Sequence, residues 1–216
     1  MKKITLLGAS GFVGSAILKE ALDRGHYVTA VVRHPEKITI IHKNLIVKRG
    51  DVSFKDIVAE MSKGADAVIS AYNPGWQNPN IAAETSIVYR TILEGVRKSE
   101  VKRFLVVGGA GSLFISPGKR LMDTGVMPEF ILPAVRALAE FYLVDLKAEK
   151  SIDWVFFCPA GMIESGLRTG MFRLGKDDLI VNKTGESKIS VQDYAVAMID
   201  ELEKPVHHRE RFTIGY

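Results

Sequence analysis

Along the chain, short and almost wholly apolar runs alternate with longer stretches whose apolar residues recur at helical spacing. The runs are KITLLG (3–8), YVTAVV (27–32), LIVKRG (45–50), DAVISA (66–71), RFLVVGG (103–109) and DWVFFC (153–158). Their continuity fits parallel strands covered on both faces rather than strands with one wet side. Amphipathic segments at 12–24, 53–63, 80–99 and 133–150 lie between them. This rhythm predicts an α/β fold: a doubly wound parallel sheet with right-handed crossovers. No repeat or linker interrupts it, so residues 1–216 read as one domain with a small C-terminal extension.

The last quarter breaks the rhythm. LIVNKTGESKIS (179–190) predicts a short hairpin or edge strand turning near Gly185. Ser190 is the expected N-cap of a helix over 191–204, with Asp193 in the position that completes a capping box. RFTIGY (211–216) predicts a final strand.

Glycines 8, 11 and 14 stand where the first strand hands over to the first helix. In that setting the first glycine allows a tight turn and the second lets backbone approach a pyrophosphate. The third lets helix and strand pack closely. The amides of Phe12 and Val13 then open the helix toward the phosphates, where its dipole favours anions. Ser10 can add a hydroxyl. No Gly-Lys-Ser/Thr follows, so the spacing favours a dinucleotide over a nucleoside triphosphate.

The acid expected at the tip of the second strand, where it would bind a ribose 2′-hydroxyl, is missing. Arg33 stands there, with His34 and Lys37 behind it. A guanidinium suits a 2′-phosphate where a carboxylate would repel it, so NADP(H) is expected over NAD(H).

Composition adds little beyond exclusions. A net charge of +4 from scattered Lys and Arg argues against nucleic acid, and no apolar run is long enough for a membrane span. The one cysteine, Cys158, cannot form an internal disulfide and reads as a small buried hydrophobe. A reducing cytoplasm is the expected location, and no metal site is expected.

GASGFVG, the GDV at 50–52, VKRF (101–104) and WVFFCPA (154–160) together resemble the extended and atypical short-chain dehydrogenase/reductase superfamily. The nearest likeness is to its small NAD(P)H-binding members related to biliverdin reductase B and to NmrA-like proteins. It spans nearly the whole chain and implies a Rossmann-type fold. It also implies contacts from Asp51 and Val52 to the adenine, and from Ala71, Tyr72 and Asn73 to the ribose and diphosphate. Gly108, Gly109, Pro159 and Ala160 would lie at the nicotinamide side.

One departure from the family pattern bears on chemistry. The usual Tyr-x-x-x-Lys pair is absent; in register, Leu132 takes the Tyr position and Arg136 the Lys position. Ser112 and Tyr142 remain as candidate catalytic residues. Reduction of a conjugated acceptor is mostly positioning and can draw its proton from solvent, whereas ketone reduction or sugar epimerisation needs a placed acid or base. The expectation is therefore an NADP(H)-dependent oxidoreductase acting on a small, conjugated acceptor. An NADP-sensing regulator and a nucleotide-sugar epimerase or dehydratase are the alternatives, and a monomer or homodimer is expected. The long, mostly irregular connection 110–131 would supply an apolar substrate wall.

Overall fold

Each apolar run becomes a strand covered on both sides, and short pieces complete the ends. The computed structural model describes residues Met1–Tyr216. Its elements are β1 (Lys3–Leu7), α1 (Phe12–Asp23), β2 (Tyr27–Val32), β3 (Leu45–Arg49), α2 (Lys55–Ser62), β4 (Ala67–Ser70), α3 (Ile81–Ser99) and β5 (Arg103–Val107). There follow β6 (Phe114–Ser116), β7 (Lys119–Arg120), α4 (Leu132–Glu140), β8 (Asp153–Cys158), β9 (Met162–Glu164), β10 (Arg173–Gly175), β11 (Lys188–Ser190), α5 (Val191–Glu203) and β12 (Glu210–Gly215).

The main sheet runs β10-β12-β8-β5-β4-β1-β2-β3. Every pairing is parallel except that of β10 with β12. Strand order reverses between β1 and β4, the place where open α/β sheets leave a crevice beyond the strand C-termini. This is a single-domain, Rossmann-like fold.

Alternating strand residues feed two cores. Ile4, Leu6, Val28, Ala30, Ile69, Leu105 and Phe157 pack with α1 and α5. Leu7, Val31, Val68, Phe104, Val106 and Phe156 pack with α2, α3 and the end of α4. Filling both faces is why these runs carry no polar alternation. Each buried Phe or Leu contributes about 1.5–3 kcal/mol relative to exposure. Cys158 lies in the second core, fully buried, and burial pushes its thiol up to about 12.

Several expectations are corrected. Of the hairpin or edge strand expected over 179–190, the structure has the short strand β11 but no hairpin. Asn182 N–H donates to the Glu186 carbonyl around Gly185, and β11 instead pairs in parallel with β9. The helix expected over 133–150 ends as a regular α-helix at Glu140. A wide-turned segment, Phe141–Leu146, carries it on and lets Phe141, Tyr142 and Leu146 all face the core. The connection 110–131 is less irregular than its sequence suggests, since β6 and β7 form a small antiparallel pair within it.

Ser190 does cap α5, its hydroxyl accepting from the Asp193 amide at 3.0 Å. The reciprocal half of the box is not made. The Asp193 carboxylate instead accepts from the Thr169 and Gly170 amides, the Thr169 hydroxyl and the Tyr216 hydroxyl, fastening the 169–170 bend and β12's end to α5.

Candidate functional site

The crevice at the strand reversal is a cleft of about 600 Å³, a size suited to an organic ligand. Its floor is the bend from Gly8 to Val13. Gly8 has φ +78°, and a Cβ there would stand 2.6 Å from the Ala71 carbonyl oxygen. Gly14 is not in the cleft wall. It is a packing glycine, since a Cβ on it would stand 2.1 Å from the Gly8 carbonyl oxygen. Gly11 takes the N-cap position of α1, with no side chain capping the helix and no acid in its first turn. The N–H groups of Phe12 and Val13 therefore face the cleft with no acceptor from the chain. Such a bend is a cradle for an anion.

Arg33, His34 and Lys37 line one end. Arg33 and Lys37 are exposed and have no carboxylate within salt-bridge distance. Glu36, between them in sequence, is turned to His34 at 3.1 Å. No Asp or Glu side chain lines the cleft anywhere. Gly50 and Val52 line it, but Asp51 does not; its Oδ1 accepts from the Ser53 amide and hydroxyl, which close the turn into α2. The Ser53 signal could have been read from Asp-x-Ser, a common local turn.

The middle is walled by Ala71, Tyr72, Asn73 and Trp76 after β4, with Tyr89 and Thr85 of α3 behind them. Tyr89 donates to the Tyr72 carbonyl at 2.7 Å and packs edge-on against its ring, fixing this loop. Burial pushes the Tyr72 phenol up to about 12, with Glu84 adding to the rise and Arg33 opposing it. It stays a neutral donor.

The far end is apolar. Gly108, Gly109 and Ser112 follow β5, and Pro159, Ala160 and Ile163 follow β8. Gly108 is glycine because a Cβ there would meet the Phe156 ring at 2.8 Å. The face of α4 turned to the cleft carries Ala134, Val135, Leu138 and Ala139, with Ile131 at its entry and Met127 from the connection. Arg136 is exposed and outside the wall, and Leu132, half-buried, is outside it too.

The two candidate catalytic residues part company here. Ser112 lines the cleft. Tyr142 does not: it lies in the second core, stacked on Phe156 at 4.8 Å and edge-on to Trp154. Burial pushes its phenol up to about 12. The wide turn after Glu140 rotates it into the sheet, which helical periodicity cannot foresee. Sequence reading also missed Arg211. It directly follows the polar stretch HHRE (207–210), so nothing in the sequence marks it as buried.

The bend with two free amides, the unpaired cations and the absence of any acid along the cleft fit an anionic dinucleotide, whose diphosphate Ser10, Phe12 and Val13 would hold. Likeness to known proteins bears on this geometry. A family model described as NAD(P)H-binding matches residues 8–205. The uncharacterised protein YwnB of Bacillus subtilis is 43% identical over 217 residues, covering 98% of this chain and 97% of its own. A crystal structure of a candidate epimerase from Bacteroides thetaiotaomicron shares 66% identity and a TM-score of 0.95, over 100% of this chain and 97% of that one. Another, of a candidate NADH-flavin reductase from Streptococcus pneumoniae, shares 33% identity and a TM-score of 0.86, covering 100% and 99%.

Proposed function

The chain belongs to the NAD(P)H-binding family, and from that premise we propose that it is a reductase preferring NADPH and acting on a small, flat, conjugated acceptor. The observation that carries this reading is the charge of the cleft: Arg33 and Lys37 unpaired at one end, and no carboxylate along the wall. A 2′-phosphate meets two cations there, and a 2′-hydroxyl finds no acid to accept its proton. When bound, the dinucleotide supplies hydride.

The chain's own residues bind, orient and exclude water. The Gly8–Val13 bend fixes the diphosphate through the Phe12 and Val13 amides. Leu138, Val135, Ile131 and Met127 form an apolar slot that holds a planar ring and keeps solvent from its face. No carboxyl, imidazole, ammonium or phenol side chain stands at this α4 end, because Tyr142 is in the core and the Tyr89 hydroxyl is committed to Tyr72. The acceptor must then spread negative charge over its own conjugated system and take its proton from water. A flavin or quinone does so readily; an isolated ketone does not. The description of the streptococcal relative agrees on flavin, and it names NADH where Arg33 and Lys37 favour NADPH.

Two measurements test the reading. Fluorescence titration should give an NADPH affinity at least about tenfold above that for NADH, and NADPH oxidation should proceed with FMN or a naphthoquinone. Equal affinities remove the preference. Tight binding with no turnover on flavin, quinone and carbonyl panels turns the reading to a dinucleotide-sensing regulator. Heat on mixing with UDP- or GDP-sugars would favour the epimerase instead.

A further inference from the structure

Ser112 is the one hydroxyl-bearing side chain in the apolar end of the cleft, and a buried cation stands behind it. Arg211, on β12, has a side chain only 4% exposed. Its Nη1 donates to both the Ser112 carbonyl (2.9 Å) and the Ser112 Oγ (3.1 Å). Its Nε and Nη2 donate to Asp177, which fixes the other edge of the fork. The guanidinium lies 4.9 Å over the Tyr142 ring, so its plane is held from a third side.

This arrangement dictates what the Ser112 hydroxyl can do. One lone pair is occupied by a charged donor, so the hydroxyl proton must point elsewhere. Its acceptors within the chain are the Gly109 carbonyl at 3.4 Å, a long and weak bond, and the Cys158 sulfur, an intrinsically weak acceptor. Cys158, close by, stays a neutral thiol because burial holds it up against the opposing pull of Arg211 and Ser112. A ligand oxygen in the cleft therefore has little competition for that proton.

We infer that Arg211 is a positioning residue that fixes and polarises Ser112, so that its hydroxyl donates a hydrogen bond to a carbonyl oxygen of the acceptor. This rests on the reductase reading above and narrows its substrate class to conjugated acceptors bearing a ring carbonyl, such as quinones and flavins. As hydride reaches the acceptor ring, its two electrons place negative charge on that oxygen. Ser112 stabilises the charge without giving up its proton, and water protonates the product. The charge on Arg211, one hydrogen bond away, strengthens Ser112 as a donor.

A double-mutant cycle tests this, with NADPH and a naphthoquinone as the pair used. Ser112→Ala should lower kcat by about 100-fold, the usual loss for one donor to a developing oxyanion. Arg211→Gln should lower it about tenfold in the native background and less than about twofold in the Ser112→Ala background, because its effect passes through Ser112. NADPH affinity should stay unchanged throughout. Arg211→Lys keeps the charge and the fold but lacks the planar fork, so it should lose about threefold, again only when Ser112 is present. It carries the cycle if the Gln variant fails to fold. Equal losses in both backgrounds, or no loss with either Arg211 variant, overturn the inference and leave the reductase reading standing. No turnover by the native protein on any flavin or quinone retires both.

Discussion

A methyl group on Gly14 would stand 2.1 Å from the carbonyl oxygen of Gly8. The two glycines therefore set how closely α1 approaches β1, and that approach aims the free amides of Phe12 and Val13 at the cleft. Gly14→Ala should force α1 outward at a cost of about 3 kcal/mol, seen as a melting temperature lower by roughly 6–12 °C. It should also weaken NADPH binding although residue 14 does not line the cleft. A variant with native stability and affinity would contradict the packing role.

Arg33→Asp replaces an unpaired cation with the acid that suits a ribose 2′-hydroxyl. NADPH affinity should fall by about 2 kcal/mol, or roughly 30-fold, while NADH affinity holds or rises. Native NADPH binding should also weaken with added salt, since the cations are exposed. Equal losses for both cofactors would place Arg33 away from the third phosphate.

Asp193 joins three segments through one carboxylate. Burial pushes its pKa up, but hydrogen bonds from the Thr169 hydroxyl, the Gly170 and Thr169 amides and the Tyr216 hydroxyl outweigh this and hold it below the ordinary carboxylate range. Its folded pKa is depressed, so its contribution is whole above the unfolded value near about 4 and is lost as pH falls through the folded value. Asp193→Asn should cost about 1–3 kcal/mol at neutral pH in urea melts and should flatten the acid limb of the stability profile. An unchanged acid limb would show that the carboxylate is free in the native state.

Cys158 should be silent to an aromatic disulfide reagent at about pH 8 in the native protein and should react once urea unfolds it. Its side chain is fully buried, with the sulfur packed beside Gly108. Rapid native labelling would mean that this part of the core opens.

Which of these features could be read without coordinates follows from physical range. The glycine bend, Arg33 and the parallel strands are local signals, each set by a few adjacent residues. The Ser190 cap is equally local and was legible. The fate of Asp193 was not, because its partners lie 23–24 positions away. The wide turn that carries Tyr142 was not legible for a related reason: it changes the helical phase, and periodicity assumes that phase is constant. Asp51 was legible as a turn residue, since the Ser53 amide and hydroxyl that its Oδ1 accepts from lie two positions on. Arg211 ends the polar stretch HHRER (207–211), and only the fold shows that it is buried and reaches Ser112, 99 positions earlier.

At the border of the main sheet, β3 carries Lys48 and Arg49 beside Ile46, which is 58% exposed. Backbone groups on that rim have no neighbouring strand, so they invite edge-on association of two copies. The paired positive charges act as gatekeepers, because two such rims approaching one another repel. Neutralising both side chains should make the protein prone to self-association even at low salt, where the native charges repel best.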